Sequence, residues 1–105
     1  GIDIENSNIP WRVVQRYYSL KEIAILKSLS ITQRDHVAKL LWQIKESFIK
    51  IHQYTLAQGL GKDYAYLMTN LVDSIKEPYP LTIILVPQSQ YRVGILSLQQ
   101  TVVIF

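Results

Sequence analysis

The sequence predicts an α+β fold: mainly helical, with four helices, followed by a small C-terminal antiparallel β-meander. Three observations carry this. Apolar residues up to about position 76 recur at helical spacing, helix-capping patterns punctuate them, and the segment beyond Pro78 and Pro80 reads as short, β-rich apolar runs.

Ile9-Pro10 opens the ordered part, since proline is well tolerated where a helix begins. Trp11, Val13, Val14, Tyr17 and Tyr18 then form one apolar helical face. Ser19-Leu20-Lys21-Glu22 is a capping box, with serine and glutamate three apart. It starts a second helix over about 20–29 that turns Leu20, Ile23, Ile25 or Leu26, and Leu29 inward. Ser30-Ile31-Thr32-Gln33 repeats the pattern and starts the longest helix, expected to run to about Gln58. Val37, Leu41, Ile44, Phe48 and Ile51 follow at steps of four, three, four and three, the spacing of one buried stripe. Gly59-Leu60-Gly61 is expected to end it, glycine supplying a left-handed cap. A fourth helix over about 62–76 places Tyr64, Leu67, Met68, Leu71, Val72 and Ile75 on one face, and Pro78 and Pro80 stop it. The strands are 81–86, 91–96 and 101–105. They are almost wholly apolar and must be covered, by the helices or by a partner.

At 105 residues the chain is read as one domain over 9–105, preceded by a flexible N-terminal segment over 1–8. The apolar fraction is 49%, so a core is affordable and disorder is excluded. No cysteine is present, which excludes disulfides, thiolate catalysis, iron–sulfur clusters and cysteine-bound zinc and fits a cytoplasmic location. No apolar run reaches the roughly 20 residues of a membrane span, and the acidic opening is unlike a signal peptide. The net charge of +3 is unevenly placed: residues 1–9 carry −2, residues 10–50 carry +5 and the remainder sums to zero. A basic first helical half attracts phosphate.

Motifs for catalysis are missing. His36 and His52 lie 16 positions apart on one helix, about 24 Å by helical rise, so they cannot share a metal ion. Gly59-Leu60-Gly61-Lys62 lacks the spacing and the hydroxyl of a phosphate loop. No nucleophile elbow and no paired carboxylates for two-metal chemistry occur. The expectation is a non-enzyme without cofactor or metal.

Over a third of its length, from Ile9 to Ile44, the chain resembles the C-terminal domain of the archaeal and eukaryotic primase large subunit. Ile9-Pro10-Trp11 matches that family's proline-containing opening, Leu29 and Arg34 its leucine–arginine pair, and Val37-Ala38-Lys39-Leu40-Leu41-Trp42-Gln43-Ile44 its apolar helix. Arg12 stands where the family has a cluster-binding cysteine, and Ile31 and Thr32 stand where it has a histidine. The resemblance therefore implies a cluster-free accessory subunit of DNA primase. Its partners would be the primase catalytic and large subunits, together with single-stranded DNA or a nucleotide triphosphate, and no membrane. Arg34, four residues past the Ser30 cap, would bind phosphate near the helix's free N–H groups, with Arg12, Arg16 and Lys39 extending a basic ridge. The alternative expectation is a protein-interaction module that docks through its apolar C-terminal strands.

Overall fold

The computed structural model describes residues 2–4, 8–77 and 79–105. In chain order the elements are β1 (Ile2–Ile4), α1 (Trp11–Tyr17), α2 (Leu20–Lys27), α3 (Ile31–His52), α4 (Leu56–Gly61), α5 (Ala65–Lys76), β2 (Leu81–Leu85), β3 (Arg92–Leu96) and β4 (Thr101–Ile104). The α+β class stands. One antiparallel sheet has the order β1-β4-β3-β2, so the expected C-terminal meander gains a fourth strand from the other end of the chain.

Both capping predictions hold in outline. The Ser19 hydroxyl accepts the Glu22 N–H, and the Glu22 carboxylate accepts the Ser19 N–H, closing the box. Ser30 accepts the Gln33 N–H and starts α3. The helix that follows is shorter than expected. Gln53 adopts a left-handed conformation, φ 58°, and ends α3 after His52. Thr55 and Gln58 then form a further capping box for α4, a separate helix. The chain thus has five helices among the described residues, because Thr-x-x-Gln was a start signal inside what periodicity had merged. Gly59 lies within α4 and is needed for contact: a Cβ there would run into the Ile49 side chain on α3.

The core lies between α3, α5 and one face of the sheet. From α3 it takes Val37, Leu41, Ile44 and Phe48, the predicted stripe, with Ile51 half-buried at its end. From α5 come Leu67, Met68 and Leu71, and from the sheet Ile84, Val93, Ile95, Val102 and Ile104. Leu20, expected inward, is 86% exposed, since the first residue of α2 precedes the turn that packs. Of the segment expected to be flexible over 1–8, Ile2–Ile4 is a strand paired with β4, because that edge of β4 offers free backbone groups. Residues 1 and 5–7 lie outside the described residues, as does Pro78, to which the end of α5 had been ascribed. No helix of the described residues is long and apolar enough to cross a membrane.

Candidate functional site

Helix α3 carries a second stripe beside its apolar one. Thr32, His36, Lys39, Gln43, Glu46 and Lys50 follow at steps of four, three, four, three and four, so they share a face about 80° wide. This face meets β4. Gln43 is fully buried: its Oε1 accepts the Val102 N–H at 2.9 Å and its Nε2 donates to the Gln100 carbonyl at 2.9 Å. Lys39 Nζ donates to Gln100 Oε1 at 3.0 Å. Strand β1 lines the far side of β4, with Asp3 opposite Val102 in register. The α3–β4 contact is thus polar at Lys39 and Gln43, with the half-buried Glu46 and the exposed Lys50 further along the same helical face and the Asp3 position on the strand beyond β4.

The N-terminal end of the stripe borders a polar cleft of about 260 Å³ lined by Asn8, Thr32, Asp35, His36, Lys39 and Gln100. Burial, aided by the nearby Lys39 charge, holds the His36 imidazole below its ordinary value. His52 sits elsewhere, stacked on Phe48 with ring centroids 5.5 Å apart.

The other flank of α3 holds a buried ion pair. Lys45 Nζ lies 2.8 Å from Glu22 Oε1, and it donates to the Leu60 and Lys62 carbonyls at 2.7 Å each. Glu22 Oε2 accepts the Tyr64 N–H at 2.7 Å. The rings of Tyr18 and Tyr64 stand 4.9 and 5.2 Å from the ammonium. Burial pushes the Lys45 ammonium down, against the opposing pull of Glu22. The ammonium of Lys45 and both carboxylate oxygens of Glu22 are engaged in tying α2, α3, α4 and the start of α5 together, which makes the pair a structural device.

Of the four residues expected to form a phosphate-binding ridge, Arg34 touches α1 through Trp11, whereas Lys39 stands apart beside β4. Arg12 and Arg16 are exposed on α1, with the Arg16 guanidinium over the neighbouring Tyr17 ring at 5.2 Å. Arg34 lies over the Trp11 ring at 4.4 Å, its Nε buried without a partner. It is about 140° around α3 from Lys39, which belongs to the stripe beside β4. Sequence reasoning passed over Gln43, Glu46, Lys50 and Asp3. For the three on α3 the signal was present in the repeated four–three spacing of polar residues, whereas Asp3 on β1 offered none of that kind. Among the described residues no group of three or more His, Asp and Glu side chains is placed to hold a metal ion.

The model of the 4′-phosphopantetheinyl transferase superfamily matches residues 1–95, from β1 through most of β3. No curated protein and no solved structure is significantly similar to the chain. The match overturns the primase resemblance, and with it the roles in DNA replication, the primase subunits, single-stranded DNA and nucleotide triphosphate as partners, and the expectation of a non-enzyme. It lends no support to the interaction-module alternative either. The resemblance rested on a leucine, an arginine and an apolar helix, features that any capped amphipathic helix can supply. The family match instead covers nine-tenths of the chain, including the acidic opening read as a tail, so the chain belongs to the 4′-phosphopantetheinyl transferase superfamily.

Proposed function

We propose that this chain transfers a 4′-phosphopantetheinyl group to an acceptor hydroxyl, with the C-terminal half of the α3 stripe as its reaction site. The family match over residues 1–95 carries the reading. Such a transfer is a phosphoryl transfer. The acceptor oxygen forms a bond to phosphorus, a phosphate leaving group departs from an activated donor, and the acceptor proton must be taken up. Charge builds on the phosphoryl oxygens and on the leaving group, so the site has to present cations in fixed positions.

The seam between α3, β4 and β1 has the right composition for this. Lys50 supplies a cation one helical turn from Glu46. Gln43, locked by two hydrogen bonds to β4, fixes how α3 faces the sheet. Glu46, by its helical position, and Asp3, by its register beside Val102, are the carboxylates the seam offers. Oxygen donors of this kind suit Mg²⁺, which binds through one or two carboxylates and the substrate's own phosphates. Bound there, the ion would neutralise phosphate charge. A cytoplasmic location, expected from the cysteine-free sequence, belongs to the same reading.

The test is to incubate the chain with Mg²⁺, coenzyme A as a pyrophosphate-linked pantetheine donor and a panel of hydroxyl-bearing protein acceptors, and to weigh the acceptors intact. An acceptor should gain one phosphopantetheinyl group. Glu46→Gln and Lys50→Met should each slow the gain by about 100-fold or more, while the exposed Lys27→Ala on α2 should not. A wild-type chain that modifies no acceptor refutes the reading.

A further inference from the structure

We propose that the cleft between the first two turns of α3 and the turn joining β3 to β4 binds a small oxyanion of the phosphate class, at a site separate from the proposed reaction site. Lys39 and Lys50 are about 16 Å apart along the helix axis.

The argument starts from Lys39. The residue is only 8% exposed, yet among the described residues its ammonium makes one hydrogen bond, to the neutral amide oxygen of Gln100. An ammonium has three donors, and a buried one is costly unless an anion answers it. Among the described residues no carboxylate reaches ion-pair distance of Lys39. Asp35, one turn earlier on α3, lines the same cleft without closing on it. A buried cation facing an open polar cleft is therefore left to be neutralised from solution.

The rest of the cleft fits the same ligand. Thr32, Asn8 and His36 add hydrogen-bonding groups around the opening. At about 260 Å³ it has room for a phosphate and several waters, each occupying roughly 30 Å³. An adjoining cavity of about 170 Å³ shares His36 and Gln100 with it and is lined by Ser97. The Ser97 hydroxyl is buried with no hydrogen-bond partner, an uncommon state for a native polar group. An anion held by Lys39 and His36 stands at the mouth of that cavity and gives its polar wall an acceptor, directly or through water. The ligand is thus defined by its charge and size. Its source is either free phosphate or the phosphate groups of a phosphopantetheine donor.

Isothermal titration at low ionic strength tests this, with inorganic phosphate and coenzyme A as separate probes and circular dichroism as a check of the fold. Wild-type chain should bind phosphate, Lys39→Met should weaken binding by about 10-fold or more, and His36→Gln should weaken it severalfold. Lys27→Ala should match wild type. Coenzyme A binding much tighter than phosphate, with the same dependence on Lys39, identifies the donor as occupant. Equal affinities identify free phosphate, and both results support the site. If Lys39→Met does not fold, His36→Gln and Thr32→Val decide. No binding by wild type, or wild-type affinity in the folded cleft variants, overturns the proposal. Transfer activity with phosphate binding indifferent to Lys39 would remove this site and leave the transferase reading intact.

Discussion

Lys45 and Glu22 meet at 2.8 Å with neither side chain exposed, an ion pair held inside the fold. Two residues that polarity alone would place on the surface thus sit at the junction of α2, α3 and the α4–α5 turn. Removing either one leaves the other buried without its counter-charge. Lys45→Met and Glu22→Gln should each destabilise the chain by about 3–5 kcal/mol. The double variant Lys45→Met/Glu22→Gln should cost clearly less than the two singles added together. Urea unfolding of the three variants measures this, and strict additivity would show that the pair is not coupled.

Gln43 is the bond between the helical layer and β4. Gln43→Leu removes two buried hydrogen bonds and strands the Val102 N–H and the Gln100 carbonyl. The expected loss is about 2–4 kcal/mol. Amide exchange should also accelerate at Val102 more than at Val93 in the neighbouring strand. Uniform acceleration across the sheet would mean that Gln43 contributes only to global stability.

Gly59 and Gly61 are two positions apart in α4 and should respond oppositely to alanine. At Gly59 the added methyl collides with Ile49, so Gly59→Ala should cost about 1–3 kcal/mol. At Gly61 a methyl meets nothing within 4 Å, and a helical alanine should add about 0.4–1 kcal/mol of stability. Ile49→Ala should recover part of the Gly59→Ala loss. Equal melting temperatures for the two alanine variants would contradict this packing.

Tyr18 and Tyr64 surround the ion pair, and burial raises both phenols above their ordinary value near 10, aided at Tyr18 by the Glu22 charge and at Tyr64 by the neighbouring Tyr66 and Tyr54. The folded state therefore keeps protons that the unfolded state gives up. The stability these groups contribute is complete below pH about 10 and is lost as pH climbs through the folded values. Lys45, held low, acts in the opposite sense only below its own ordinary value of about 10.4. Unfolding free energy measured from pH 9 to 12 should fall most steeply above 10.5. Tyr18→Phe, which also loses a hydrogen bond to the Ala38 carbonyl, should flatten that fall. An unchanged slope would exclude Tyr18 as its origin.

The fold class, the apolar stripe of α3 and the start of each of its first three helices could be read from local patterns, because caps and periodicity are local physics. The α3–α4 break was also local, in Thr55 and Gln58, but the continuous apolar spacing up to Ile51 masked it. The fourth strand could not be read, since three residues pair there only because β4 presents a partner. Nor could the burial of Lys45, whose acceptors are backbone carbonyls of residues 60 and 62 delivered by a turn. At the site, charge was weighed by sign and by segment, which favoured the arginines. The polar stripe that includes Lys39, Gln43 and Glu46 is visible only when polar residues are tested for helical period as apolar ones were.

Strand β1 and strand β4 are neighbours in the sheet yet lie about a hundred positions apart in the chain. Bringing them together closes a loop whose length-dependent entropy cost is about 4 kcal/mol, whereas β3 and β4 are joined by a turn. During synthesis β1 leaves the ribosome long before β4 and cannot make this pairing until β4 has followed. The growing chain therefore passes through a state in which the hairpin is formed and one edge of β4 is still bare. For that interval the earlier strand of the pair waits on the later one.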